Sequence, residues 1–146
     1  YETFAEIIRH RFDGPKETLE ELFSRMVFNI LCGNTDDHAR NHAAFWDGKT
    51  LQLTPAYDIC PQGRTGREAT QAMLISGDNR WSKLKSCLNA APHFQLYESE
   101  SKTIFEKQRE AIEANWEKVC DEAKLSTVDK KLLWKRQFLN TFAFEE

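Results

Sequence analysis

The residues best suited to chemistry are concentrated in one polar segment, Gly33–Asn41, which reads GNTDDHARN. It contains two carboxylates, one imidazole and two carboxamides. Asn, Asp and Gly are ordinary turn residues, so a solvated turn is the simplest alternative interpretation. A turn does not account for an isolated aspartate, Asp58, which follows a predicted pair of strands. The two features together favour a chemical role.

Phosphoryl transfer gives a reason for both features. A kinase needs an aspartate that accepts the proton of the acceptor hydroxyl, and an asparagine and a second aspartate that hold Mg²⁺. In protein kinases the base and the asparagine are five residues apart, and the metal-binding aspartate follows a short strand pair. Asp36 and Asn41 have this spacing, and Asp58 has the corresponding position. We therefore predict Asp36 as the base, and Asn41 and Asp58 as Mg²⁺ ligands within reach of one ion.

The other polar side chains of the segment allow further interpretations. Asp37 has the wrong spacing for the base, so we predict that it forms hydrogen bonds within the loop. His38 and His42 have the i, i+4 spacing of a zinc pair if the segment is helical, which makes a metal phosphohydrolase an alternative. Gly33 and the following strands oppose a helix there. We predict instead that the His38 imidazole hydrogen-bonds loop backbone and fixes Asp36.

A buried helix and a hairpin must position the segment. Apolar residues recur at spacings of three and four from Leu19 to Leu31, the pattern of one helix face, and Gly33 supplies a stop signal. A shorter helix is predicted over residues 2–12. Residues 43–54 predict a β-hairpin around an Asp-Gly turn. A further short strand is predicted at residues 73–75.

Three more helices are predicted to complete the core. The first covers residues 81–91, and a long charged helix has apolar positions between Ile104 and Cys120. The last begins at the capping sequence of residues 126–129 and is predicted to continue through Leu139 and Phe142. The sequence thus predicts a mainly α fold.

Composition restricts the class of protein. A chain of 146 residues with 40% apolar residues is of single-domain size, and we assign one domain to residues 1–146. The formal net charge of −3 argues against direct binding of nucleic acid or anionic membranes. No run is long enough to span a membrane, and no leader is evident. The four scattered cysteines suggest free thiols in a reducing cytosol, so we expect a cytoplasmic location.

Several stretches resemble successive signatures of the HipA family, bacterial toxin kinases with a protein-kinase-like fold. They are residues 27–29 (VFN), 33–41 (GNTDDHARN) and 54–59 (TPAYDI), and weaker likeness continues at 71–80 and 94–96. The resemblance implies a mainly α, protein-kinase-like helical C-terminal lobe with one or two small β-hairpins.

The same resemblance implies a set of roles. Asp36 is implied as the catalytic base, Asn41 and Asp58 as Mg²⁺ ligands beside ATP, and His38 as a loop residue next to them. The implied acceptor is a serine or threonine on a protein, such as an aminoacyl-tRNA synthetase or another translation component. A small DNA-binding antitoxin of the HipB type is the implied partner.

The 146 residues contain neither a G-x-G-x-x-G loop nor a strand lysine of the V-A-I-K kind, which grip the nucleotide phosphates in protein kinases. We therefore expect the kinase N-lobe to be absent from this chain, and the chain alone to be inactive. The loop also resembles the D-R-H-x-x-N loop of phosphoinositide-type kinases, so a lipid acceptor is an alternative. A non-catalytic remnant that binds an antitoxin is another.

Overall fold

Five α-helices and one two-stranded antiparallel sheet make up the fold, in a computed structural model that describes residues 1–146. The mainly α prediction is confirmed. None of the helices has the length and apolarity that crossing a membrane requires. In chain order the elements are α1 (Glu2–Arg11), α2 (Pro15–Cys32), β1 (Ala44–Trp46), β2 (Leu51–Leu53), α3 (Leu84–Ala90), α4 (Glu98–Glu122) and α5 (Thr127–Leu133), with 3₁₀ turns at Ala39–Asn41, Ala91–Phe94 and Thr141–Phe144.

Helix α2 lies at the centre of the core and contacts α1, α3 and α4. Its predicted apolar stripe is buried along its whole length. Phe23 stacks on Phe105 of α4, with ring centroids 6.2 Å apart, and meets the edge of Phe94 at 5.3 Å. Packing on several sides holds the C-terminal end of α2 in place, and the polar segment begins at that end. The buried members of the stripe are Leu19, Leu22, Phe23, Met26, Val27, Ile30 and Leu31.

The end of α2 is a Schellman motif, in which a glycine in the left-handed region closes the helix. Gly33 has φ +76° and donates its N–H to the Ile30 carbonyl at 3.3 Å. The Asn34 N–H reaches back to the Asn29 carbonyl at 2.8 Å. The buried Asn34 side chain also donates to Oδ1 of Asn29 at 3.0 Å. The predicted stop signal at Gly33 therefore sets the direction in which the polar segment leaves the helix.

Gly33→Ala is expected to lower the free energy of unfolding by more than about 2 kcal/mol, the upper end of the cost of placing an L side chain in the left-handed region. A Cβ at this position would lie 2.6 Å from the backbone carbonyl oxygen of Gln137, so a steric clash adds to the conformational cost. Gly66→Ala is the matched control, because Gly66 has φ +87° and open space around it. Urea unfolding of the two variants measures the difference. If Gly33→Ala and Gly66→Ala lower the free energy of unfolding equally, the clash with Gln137 is relieved in the variant.

The hairpin forms where the sequence predicts it, with Ala44 opposite Leu53 and Trp46 opposite Leu51. Its turn is closed by Asp47, whose carboxylate accepts from two backbone N–H groups of the turn at 2.7 and 2.8 Å. The hairpin is tied to the helices, because the Leu51 carbonyl accepts the N–H of Asp13 at 2.9 Å. The β-strands therefore have fixed positions relative to α2.

The strand predicted at residues 73–75 is wrong. Only Ser76 and Asn79 pair there, as an isolated bridge around a two-residue turn. Ile75 is nevertheless fully buried, and its N–H donates to the Asn79 carbonyl at 2.8 Å. A strand requires a neighbouring strand to receive its hydrogen bonds, whereas this turn meets its backbone needs locally.

The last predicted helix is too long. Its N-terminus is as expected, since the Ser126 hydroxyl accepts the Asp129 N–H at 3.1 Å. The helix ends at Leu133, and Lys135 and Leu139 both take left-handed φ values, +61° and +50°. The Leu139 N–H bonds to the carbonyl of Leu31 in α2 at 2.7 Å. Burial of this C-terminal segment against α2 therefore overrides its helical pattern.

Candidate functional site

The polar segment leaves α2 under backbone restraint from two later segments. The Gly33 carbonyl accepts the N–H of Gln62, and the Thr35 carbonyl accepts the N–H of Ala72, each at 3.0 Å. Asp36, the next residue, is exposed. The start of the loop is therefore held by backbone hydrogen bonds, and its first carboxylate, Asp36, lies on the surface.

The structure brings Asn41 and Asp58 together. Asn41 ends the 3₁₀ turn and is only 7% exposed, and its Nδ2 donates to Oδ2 of Asp58 at 3.1 Å. The residues that directly precede Asn41 and Asp58 are also in contact, because the Tyr57 hydroxyl donates to the Arg40 carbonyl at 2.9 Å. Two successive contacts thus join the end of the loop to the segment that follows the hairpin.

The backbone of Asp58 is in the left-handed region, with φ +55°. Aspartate tolerates this conformation better than most residues, but it still carries a conformational cost. Such conformations persist where the surrounding structure imposes them, and they are frequent at functional sites. Here the conformation presents the exposed Asp58 carboxylate to the Asn41 amide.

Asp37 is buried and accepts hydrogen bonds from the side chains of Tyr1 and His42, which both lie outside the Gly33–Asn41 segment within which its bonds were predicted. The carboxylate accepts from the Tyr1 hydroxyl, and its two oxygens lie 2.9 and 3.0 Å from Nε2 of His42. Burial, and secondarily the neighbouring carboxylate, raise the pKa of the Tyr1 phenol well above its usual range. Spacing alone did not identify Tyr1, because it lies 36 residues from Asp37 in the sequence.

The two histidines do not form a zinc pair. The backbone at His38 is extended, with φ −113° and ψ 169°, so the segment is not the helix that an i, i+4 pair requires. His42 is paired with Asp37, and no group of three or more His, Cys, Asp or Glu side chains is placed to hold a metal ion. The Nδ1 atom of His38 is buried without a partner, so the predicted bond to loop backbone is not made by this atom.

The Asn41–Asp58 pair fits the ligand chemistry of Mg²⁺. This ion prefers oxygen ligands, keeps several waters, and needs only one or two carboxylates when substrate phosphates complete its shell. The contact between the two residues uses the amide nitrogen of Asn41, and so leaves its amide oxygen for other interactions. Asp58 is itself exposed to solvent.

Comparison with known proteins gave one finding. A family model described as the HipA-like C-terminal domain matches residues 1–141. The searches of curated proteins and of solved structures returned no match. The matched range includes the whole polar segment and Asp58, and so covers every residue of the candidate site.

Proposed function

Because the chain belongs to the HipA-like C-terminal domain family, we propose that it is the C-terminal catalytic lobe of a toxin serine/threonine kinase. The family is associated with serine/threonine kinase toxins. The observation that carries the proposal is the contact between Asn41 and Asp58, in a chain where Asp36 precedes Asn41 by five residues. These are the three groups that phosphoryl transfer requires from this lobe.

The proposed reaction moves the γ-phosphoryl group of ATP to a serine or threonine hydroxyl of a protein. Asp36 orients the hydroxyl and accepts its proton, and its exposed position allows a protein side chain to approach it. Asn41 and Asp58 hold Mg²⁺. When bound, this ion neutralises charge on the β- and γ-phosphates. His38 is the proposed loop residue beside these groups.

The proposal also includes an acceptor protein and a partner protein. By family resemblance, the acceptor protein is an aminoacyl-tRNA synthetase or another translation component in the cytoplasm. A HipB-like DNA-binding antitoxin is the proposed partner, and it supplies the contact with nucleic acid. The net charge of −3 supports the assignment of nucleic-acid binding to the antitoxin, because the chain carries no excess of positive charge for binding nucleic-acid phosphates itself.

The isolated 146-residue chain is expected to show no appreciable phosphoryl transfer, whereas a longer protein with the N-lobe is expected to be active. Transfer depends on positioning and on charge stabilisation of the phosphates, and these residues include no phosphate-gripping lysine or glycine-rich loop. The assay incubates each protein with Mg·ATP and a serine-containing protein acceptor. Adding the N-lobe as a separate polypeptide should restore activity to the chain if the two dock. Efficient transfer by the chain alone would contradict the proposal.

A further inference from the structure

The residues that directly follow the proposed base and the proposed metal ligand are joined to each other in the interior. Asp37 follows Asp36, and His42 follows Asn41. The Asp37 and His42 side chains are 5% and 6% exposed and lie 2.9 Å apart. This buried contact, called here the Asp37–His42 clamp, closes the stretch of chain whose two ends carry the proposed catalytic groups.

The clamp holds one side chain at each end of this stretch inside the protein, next to a proposed catalytic group. Asp37 is 3% exposed, whereas Asp36 directly before it is exposed, so the two neighbouring carboxylates lie in different environments. With Asp37 held inside, the preceding Asp36 lies on the surface, as the structure shows. At the other end, the inward His42 follows the short turn that brings Asn41 to Asp58.

Residues at the start of the chain also contact the clamp. The Tyr1 hydroxyl donates to Asp37, and the Tyr1 backbone nitrogen donates to the Leu74 carbonyl at 2.8 Å. The His42 ring meets the edges of Phe4 and Tyr1, with centroids 5.2 and 6.3 Å apart. Its Nδ1 is buried without a partner, so Asp37 supplies its hydrogen-bonded contact. Helix α1 is thereby connected directly to the loop.

Loss of the contact between Asp37 and His42 should displace the residues beside them. A buried carboxylate that loses a partner must find another or move towards water. Movement of Asp37 towards the surface would turn the adjoining Asp36 away from its present direction. Release of His42 would equally remove the restraint on the turn that carries Asn41. Both proposed catalytic groups would then lose their fixed separation, although neither had been changed.

We propose that Asp37 and His42 are positioning residues for phosphoryl transfer, acting through a buried contact that holds Asp36 and Asn41 at their working separation. The inference rests on the proposed function of those two residues. It adds that Tyr1 is the attachment of this contact to α1. It also assigns to Asp37 a role distinct from that of its neighbour, since Asp37 is closed off from any acceptor by burial.

The test uses the full-length kinase and compares His42→Ala with His42→Gln. His42→Ala is expected to lower kcat by about 10- to 100-fold, the range associated with a displacement of about 1 Å in a reacting group. KM for the acceptor protein is expected to stay within about 3-fold, because the acceptor does not contact the buried ring. His42→Gln should recover most of kcat, since its amide N–H can still donate to Asp37. Wild-type kcat in His42→Ala would overturn the proposal, and so would failure of glutamine to do better than alanine.

A double variant tests whether the two residues act as a unit. Asp37→Ala combined with His42→Ala should lower kcat no further than the more damaging single change. His10→Ala is the matched control, because His10 is an exposed histidine whose side chain is 70% accessible on α1, and it should leave kcat unchanged. If the fold-losses in kcat of the two single variants multiply in the double variant, Asp37 and His42 act independently and the proposal fails.

Hydrogen exchange separates failure of this inference from failure of the proposed function. In His42→Ala, the amides of residues 35–41 should exchange at least about 10-fold faster, while those of α2 keep their protection. If the wild-type kinase transfers no phosphate, the proposed function fails, and the exchange comparison still decides whether the clamp orders the loop. Equal exchange of residues 35–41 in the wild type and the variant would overturn the clamp.

Discussion

Asp36→Asn in the full-length kinase is expected to reduce the rate of phosphoryl transfer by about 10²–10⁴-fold, the usual contribution of a positioned proton acceptor. Asparagine keeps the size and hydrogen-bonding shape of the side chain but cannot accept the proton of the acceptor hydroxyl. Asp36 is exposed and outside the core, so the folded domain should remain intact. Single-turnover transfer to a serine-containing acceptor measures the rate, and far-UV circular dichroism checks the fold.

Two other aspartates make this prediction specific. Asp78→Asn changes an exposed aspartate in the turn after Ile75 and should leave the rate unchanged. Asp37→Asn alters the buried clamp and should cause a smaller loss than Asp36→Asn, because Asp37 cannot reach an acceptor from the interior. If Asp37→Asn abolishes transfer while Asp36→Asn is nearly silent, the assignment of the base is off by one residue.

Asp58→Ala is expected to abolish measurable Mg·ATP binding by the full-length kinase. Removal of this carboxylate takes away the charged member of the proposed ligand pair and leaves only the Asn41 amide. Isothermal titration with Mg·ATP measures the loss. The helical circular dichroism spectrum should be unchanged, since Asp58 lies in an exposed segment outside every helix.

Asp58→Asn separates the loss of charge from a change in backbone conformation. Asp58 has φ +55°, which asparagine tolerates well and alanine tolerates poorly. The asparagine variant should therefore keep the local backbone while still losing most Mg·ATP affinity. Unchanged affinity in both variants would exclude Asp58 as a metal ligand. Loss in the alanine variant alone would assign the effect to the backbone.

Much of the fold could be predicted, because it depends on interactions between near neighbours in the sequence. The apolar period of α2, its glycine stop and the turn of the hairpin are local patterns, and each lies where the sequence places it. The candidate ligands Asn41 and Asp58 were also identifiable, because their spacing around a hairpin is a local property.

Prediction failed where the folded chain does not supply the contacts that the local pattern assumed. The last helix stops at Leu133 because the following residues bond to α2 and enter the core. Residues 73–75 form no strand, since no strand lies beside them to pair with. His38 was assigned a backbone bond that its buried Nδ1 does not make. For the last helix the deciding contact, with Leu31 of α2, lies outside the sequence window in which the pattern was found.

The candidate site also has features that the sequence predicts and features that only the tertiary structure decides. The sequence alone determined which residues could act on a phosphoryl group, because side-chain chemistry and loop spacing are properties of the chain itself. Only the tertiary structure decided that Asp36 is exposed while Asp37 is buried against Tyr1 and His42. Adjacent aspartates have the same chemistry, so the sequence cannot separate their environments. Their environments differ because Tyr1, directly before α1, and His42 give hydrogen-bond partners to Asp37, whereas Asp36 is exposed to water.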